Sequence, residues 1–318
     1  MFRLTLVLAT ASVILGVGVA AADPPSPDNP AGGGASEILG VVPTQAAAHS
    51  EAGKGGSGGN LVYHGGKVLK TNRTVAIFWG SNFASGYTST ISQYFADVAA
   101  DSGKTSNVYG VETQYYDGTN AHIQYASTAG SPYNDTNPYP SSACSDTVGA
   151  TSSCISDAQL RAELQSLFTP GKLGSPDANT TYFLFTGKGV GSCYSSSSCA
   201  FSQYCAYHSN VTVNGVTVQY ANQPYADTVP AACDAGYYPN GQSTEADATI
   251  NVTSHEHRES INDPLGNAWY DRRGYEGSDK CAWNFGALTG NYNQTISGHH
   301  YALQQEWSNA SSGCALHS

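Results

Sequence analysis

The sequence predicts an α+β or mixed α/β fold: a central mixed sheet with packed helices and an irregular, disulfide-stapled C-terminal part. Three observations point there. Apolar, β-branched and aromatic runs bounded by glycine recur at Val75–Gly80 and Thr180–Thr186. Between and after them lie segments with apolar residues at helical spacing. Eight cysteines, Cys144, Cys154, Cys193, Cys199, Cys205, Cys233, Cys281 and Cys314, all fall in the later part of the chain.

The 318 residues open with Met1-Phe2-Arg3 and an apolar run to Ala22, the pattern of a signal peptide cut after Ala22. Asp23 to Gly59 holds Pro24-Pro25, Gly32-Gly33-Gly34 and Gly55-Gly56-Ser57-Gly58-Gly59. It reads as a disordered linker or propeptide, because it offers little apolar surface to offset ordering entropy. Residues 60–318 are then long enough for one globular domain.

Within that domain, Leu61–Gly66 and Val75–Gly80 read as strands, the second central because it is nearly all apolar. Thr88–Ala100 places Ile91, Phe95, Val98 and Ala99 on one helical stripe. Ser156–Phe168 carries a capping box, Ser156 with Gln159, and buries Leu160, Leu164, Leu167 and Phe168. Thr180–Thr186 is a second central strand. Val211–Val218 is a hairpin turning at Asn214-Gly215. Ser243 opens a helix with Glu245 in its first turn; it runs to about Ile261 and stops before Pro264.

With 24 acidic and 13 basic residues the formal charge is −11. No Lys/Arg-rich run occurs, which argues against nucleic acid and anionic membrane partners. After the leader no apolar stretch is long enough for a membrane span. An even cysteine count behind a signal peptide implies disulfides and an extracellular protein, expected as a monomer. Sequential pairing, Cys144–Cys154, Cys193–Cys199, Cys205–Cys233 and Cys281–Cys314, is the simplest arrangement. The absence of any Cys-x-x-Cys pair speaks against a cysteine zinc site.

The segment that can carry chemistry is His255-Glu256-His257-Arg258-Glu259. On a helix His255 and Glu259, at i and i+4, project from one face, where a metal can bridge them. In His-Glu-x-x-His zinc hydrolases two histidines hold zinc and the adjacent Glu acts on bound water. Here Glu259 replaces the second histidine, and carboxylate oxygen is also a zinc ligand. Glu256 takes the catalytic position of this zincin-like helix, while His257 and Arg258 point elsewhere. The competing reading is a solvated charged face. Downstream lie Asp263, Asp271, Glu276 and Asp279. In one class of zinc peptidases the third ligand is an acidic residue about 20 positions past the second, which favours Asp279, with Glu276 as runner-up. His299 and His300 are further candidates, as ligands or as oxyanion donors. Zinc held by one histidine and two carboxylates is formally neutral, which acidifies bound water less. Met1 is the only methionine, so no Met-turn exists.

Leu61–Leu69, Thr74–Gly80, Ser254–Tyr270 and Glu276–Cys281 resemble segments of the phosphate-induced protein 1, or Exordium-like, family, over roughly residues 60–318. That family is extracellular and in plants is linked to cell-wall and growth responses. Some members carry His-Glu-x-x-Glu and look like zincin metallopeptidases. The resemblance therefore implies a zinc site on His255, Glu259 and Asp279, with Glu256 catalytic. The sequence thus predicts a secreted, peptidase-like zinc hydrolase acting on a peptide or cell-wall-associated substrate. The alternative is a non-enzymatic protein that binds a wall polymer or protein partner through its tyrosine-rich loops, with at most a structural metal.

Overall fold

The structure, a computed structural model, describes residues 38–52, 58–149 and 152–318. The expected signal peptide, residues 1–22, and most of the expected linker lie outside these residues. In chain order the first strands are β1 (Gly40–Pro43), β2 (Val62–Tyr63), β3 (Asn72–Trp79), β4 (Ser127–Ala129) and β5 (Tyr133–Asp135). Next come β6 (Ser153–Ser156), β7 (Thr180–Thr186), β8 (Val190–Cys193), β9 (Tyr204–Val213) and β10 (Val216–Gln223). Short pairs follow: β11 (Trp269–Tyr270), β12 (Gln294–Ile296), β13 (His299–Tyr301), β14 (Glu306–Ser308) and β15 (Gly313–Ala315). The α-helices are α1 (Gln45–Ala52), α2 (Tyr87–Ala100), α3 (Asp157–Leu167), α4 (Pro230–Cys233) and α5 (Asp247–Asn262).

Seven strands form one mixed sheet in the order β1-β9-β10-β7-β3-β4, with β5 also paired to β3. β10, β7, β3, β4 and β5 are mutually parallel; β9 runs antiparallel to both β10 and β1. Alternation along the strands divides the core in two. Val75, Ile77 and Trp79 join Leu160 and Leu164 of α3 on one face. Ala76 and Phe78 join Ile91 and Phe95 of α2, and Ile250 and Ile261 of α5, on the other. The mixed sheet with packed helices is thus the predicted class.

The local signals that the sequence carries strongly are realised. Ser156 accepts from Gln159 N and the Gln159 side chain accepts from Ser156 N, so α3 begins on a full capping box. Asn214 and Gly215 take φ values of 49° and 80°, the positive pair that a two-residue hairpin turn demands. The four disulfides are Cys144–Cys154, Cys193–Cys199, Cys205–Cys233 and Cys281–Cys314, and no cysteine is free.

Three expectations need correction. Residues 38–52 are not part of a disordered linker: they form β1 and α1, and Ile38, Leu39, Val41 and Val42 are buried. The apolar run Ile38–Val42 is too short to stand out in a glycine- and alanine-rich background, but an existing sheet edge supplies its partners. The late helix begins at Asp247, not at Ser243. Gln242–Thr244 is a 3-10 turn, and Glu245 sits in the left-handed region at φ 52°, where its carboxylate meets Lys188 Nζ and Tyr225 Oη. Leu61–Gly66 contributes only the two-residue β2, paired with β11 outside the main sheet.

Candidate metal centre

Helix α5 is not a solvated charged face. All of its 16 residues are buried. A helix this polar survives burial only if its side chains find partners. Thr249 bonds Tyr87 Oη, Thr253 donates to Gln223 Oε1, Ser260 meets Thr181 Oγ1 and Asn262 donates to Glu112 Oε2. His257 lies between Tyr109 Oη and Asn72 Oδ1, both 2.9 Å away, and burial followed by the nearby Arg258 charge holds its pKa down at about 3. Arg258 pairs with Glu306 Oε2 at 2.9 Å and donates to Gln304 O and Ser278 Oγ. His257, two residues from His255, thus points to another side of the helix, and Arg258 is engaged by Glu306, Gln304 and Ser278 rather than by the carboxylates beside His255.

The remaining residues converge. His255 Nε2 is 3.0 Å from Glu259 Oε1 and 3.3 Å from Asp279 Oδ1. The Asp279 N–H donates to Glu259 Oε1 at 3.0 Å, so the 3-10 turn Asp279–Cys281 is pinned to α5. Asp279 Oδ2 accepts from Glu276 N, which leaves Oδ1 directed at the histidine. His255 Nδ1 rests on the Gln304 side-chain amide 2.5 Å away. Cys281, bonded to Cys314, closes the turn.

Sequence reasoning missed His208, which enters from β9. Its Nδ1 is 2.9 Å from Glu256 Oε2 and 3.7 Å from Glu259 Oε2, and its Nε2 is 3.9 Å from Glu276 Oε2. No spacing signal marks it, because 48 residues separate it from Glu256. Glu276, the sequence's runner-up for third ligand, therefore lies beside His208, and Asp279 lies beside His255. Asp263 accepts from Asn267 N and Ala268 N, and Asp271 from Arg273 N, Tyr275 N and Lys280 Nζ; both organise loops. His299 pairs with Asp97, and His300 bonds Thr295, so neither joins the cluster.

Two sets of side chains could each hold a metal ion: His255, Glu259 and Asp279; and His208, Glu256 and Glu259. They share Glu259. Cys144, Cys154 and Cys193 also lie close together, but all three are in disulfides and offer no thiolate.

The electrostatics favour a cation. Glu256, Glu259, Glu276 and Asp279 crowd one buried cluster in which, among the described residues, His208 and His255 face them. Burial, then Asp279's charge, pushes Glu256 and Glu259 up to about 8, although His255 works the other way. Burial and neighbouring Glu259 raise Glu276 well above the carboxylate range. Burial disfavours a charged His255, yet Glu259 and Asp279 together outweigh it and raise its pKa. Burial lowers His208. His208 Nε2, His255 Nε2, Glu259 Oε2, Asp279 Oδ1 and both Glu276 oxygens make no hydrogen bond among the described residues. His255 Nε2 is at ion-pair distance from two carboxylates without hydrogen-bond geometry to either. Such a cluster could hold either a shared proton or a metal ion.

A pH dependence follows. Glu256, Glu259 and His255 all hold protons more tightly folded than unfolded, so stability of the metal-free protein falls as pH rises. His208 and His257, both lowered by burial, work in the opposite direction, but only up to the ordinary histidine pKa. Thermal melts of chelator-treated protein are expected to show the melting temperature dropping between about pH 5 and about pH 8. The stabilisation by added zinc is expected to grow over the same window, because ligation displaces those protons.

No helix of the described residues is long and apolar enough to cross a membrane. No protein-family model, curated protein or solved structure matches the chain.

Proposed function

We propose that this protein is a secreted zinc-dependent hydrolase of peptidase type, with His255, Glu259 and Asp279 as metal ligands and Glu256 as general base. The observation that carries the reading is the convergence of His255 Nε2, Glu259 Oε1 and Asp279 Oδ1 beside Glu256 in one buried cluster. One nitrogen and two carboxylate oxygens are a donor set that would hold zinc. Zinc, when bound, acidifies water and polarises a carbonyl. Glu256 takes the proton of the attacking water on a carboxylate oxygen and delivers it to the leaving amine. His208, 2.9 Å from Glu256 Oε2, is a positioning residue that orients the carboxylate. The likeness of Ser254–Tyr270 and Glu276–Cys281 to Exordium-like proteins supports an extracellular setting, and four disulfides fit it.

Elemental analysis of the purified protein tests the reading. One zinc per chain is expected, and Glu259→Ala is expected to lower zinc affinity by more than about 100-fold, beyond the effect of losing an outer-shell partner. A wild-type protein without stoichiometric metal sinks it.

A second reading has its own observation: His208, His255, Glu256, Glu259 and Glu276 are all fully buried. A metal sealed in this way would fix the loop Asp263–Cys281 to α5, leaving the protein to bind a wall polymer or protein partner without catalysis. It predicts that Glu256→Gln changes no biological activity.

A further inference from the structure

The segment Ile38–Pro43 packs directly on the site. β1 lies on the sheet edge, antiparallel to β9, with Gly40 opposite His208 and Val42 opposite Ala206. The ladder extends at both ends, through Leu39 N to His208 O and Thr44 N to Gln203 O. Pro43 O accepts from Trp283 Nε1 at 2.8 Å. The Val42 N–H donates to Glu256 Oε1 at 3.2 Å, so the proposed base is engaged by a peptide N–H of this strand. At Gly40 the main chain presses against the cluster. A Cβ there would overlap Glu259 Oε2 and come within 2.5 Å of His208 Cε1 and 2.6 Å of Glu276 Oε2.

We infer that Ile38–Pro43 occupies the groove in which this protein binds extended polypeptide, so that its own segment holds the site closed. The ligand class is a peptide added as an antiparallel strand to β9, with glycine at the point of closest approach to the cluster. Three features single out this class. Recognition runs through main-chain bonds to β9, which any extended peptide can make. Side chains flanking the glycine, Ile38, Val41 and Val42, are buried and supply apolar selectivity. No side chain fits at position 40, which leaves that stretch of backbone closest to Glu256, Glu259 and His208. The catalytic consequence rests on the hydrolase reading above; the peptide groove does not.

The test uses the full chain with residues 53–57 replaced by the recognition sequence of a site-specific protease. After cutting, a fluorescent synthetic peptide of residues 36–45 is added in excess. The cut protein is expected to bind the peptide and the uncut protein to exclude it. The same peptide carrying Gly40→Val is expected to bind at least about tenfold more weakly, the effect of overpacking a closed contact. Chelator is expected to strip metal faster once the segment is released. Failure of the cut protein to take up the peptide, or equal binding of the Gly40→Val peptide, overturns the inference. Peptide uptake without zinc and without hydrolysis of unfolded protein would uphold the groove and sink the hydrolase. Should the cut chain unfold, the uncut Gly40→Val protein decides. An intact fold that now binds the labelled peptide supports the inference. Global unfolding makes β1 an integral core strand and overturns it.

Discussion

Glu256→Gln, assayed with its β1 segment released, is expected to keep its zinc and to lose peptide hydrolysis by about 10²–10⁴-fold, the contribution of a positioned general acid–base. The substitution is close to isosteric. The amide oxygen can still accept the Val42 N–H, and the amide can still bond His208 Nδ1, so both contacts of the carboxylate persist. What the amide cannot do is take a proton from water. Glu256 is not among the proposed ligands His255, Glu259 and Asp279, so metal content separates loss of base from loss of site. Normal zinc and normal fold with unchanged hydrolysis would move the protein to the structural-metal reading. Loss of zinc would instead place Glu256 among the ligands, in the set it forms with His208 and Glu259.

Arg258→Met is expected to destabilise the protein by about 3–5 kcal/mol, the cost of breaking a buried ion pair on one side. Arg258 and Glu306 are both fully buried, and the guanidinium also donates to Gln304 O. Without it, Ser278 is the side-chain hydrogen-bond partner left to Glu306 among the described residues. Glu112, already pushed up by burial and by Glu306, loses the charge that counters both. Denaturant unfolding with an unchanged m-value checks the loss. Adding Glu306→Gln to Arg258→Met is expected to restore a large part of it, because no unpaired charge is then buried. If the single substitution costs less than about 1 kcal/mol, Arg258 is screened in the manner of a surface pair. Because Ser278 and Gln304 also bracket His255 and Asp279, a fall in zinc affinity alongside is expected.

Much of the fold was legible because its signals are local. The capping box at Ser156 and Gln159, the Asn214-Gly215 turn and the apolar runs of β3 and β7 each specify their own backbone. The pairing of cysteines nearest in sequence also held. The errors fall where tertiary partners override local composition. Ile38–Val42 looks like linker until β9 supplies an edge. Ser243–Glu245 looks like a helix start, but Glu245 is held outside it by Lys188 and Tyr225.

By itself the sequence determined that His255 and Glu259 share one face of a helix, since a spacing of four residues requires it. It also narrowed the acidic partner to Asp279 or Glu276. Only the tertiary structure decided the rest. It buried a polar helix on every side, brought His208 to Glu256 across 48 residues and set β1 over the cluster. The reason is physical: periodicity constrains side chains on one element. Burial and convergence between elements depend on how the sheet, the helix and a distant loop pack, and no spacing within one segment encodes that.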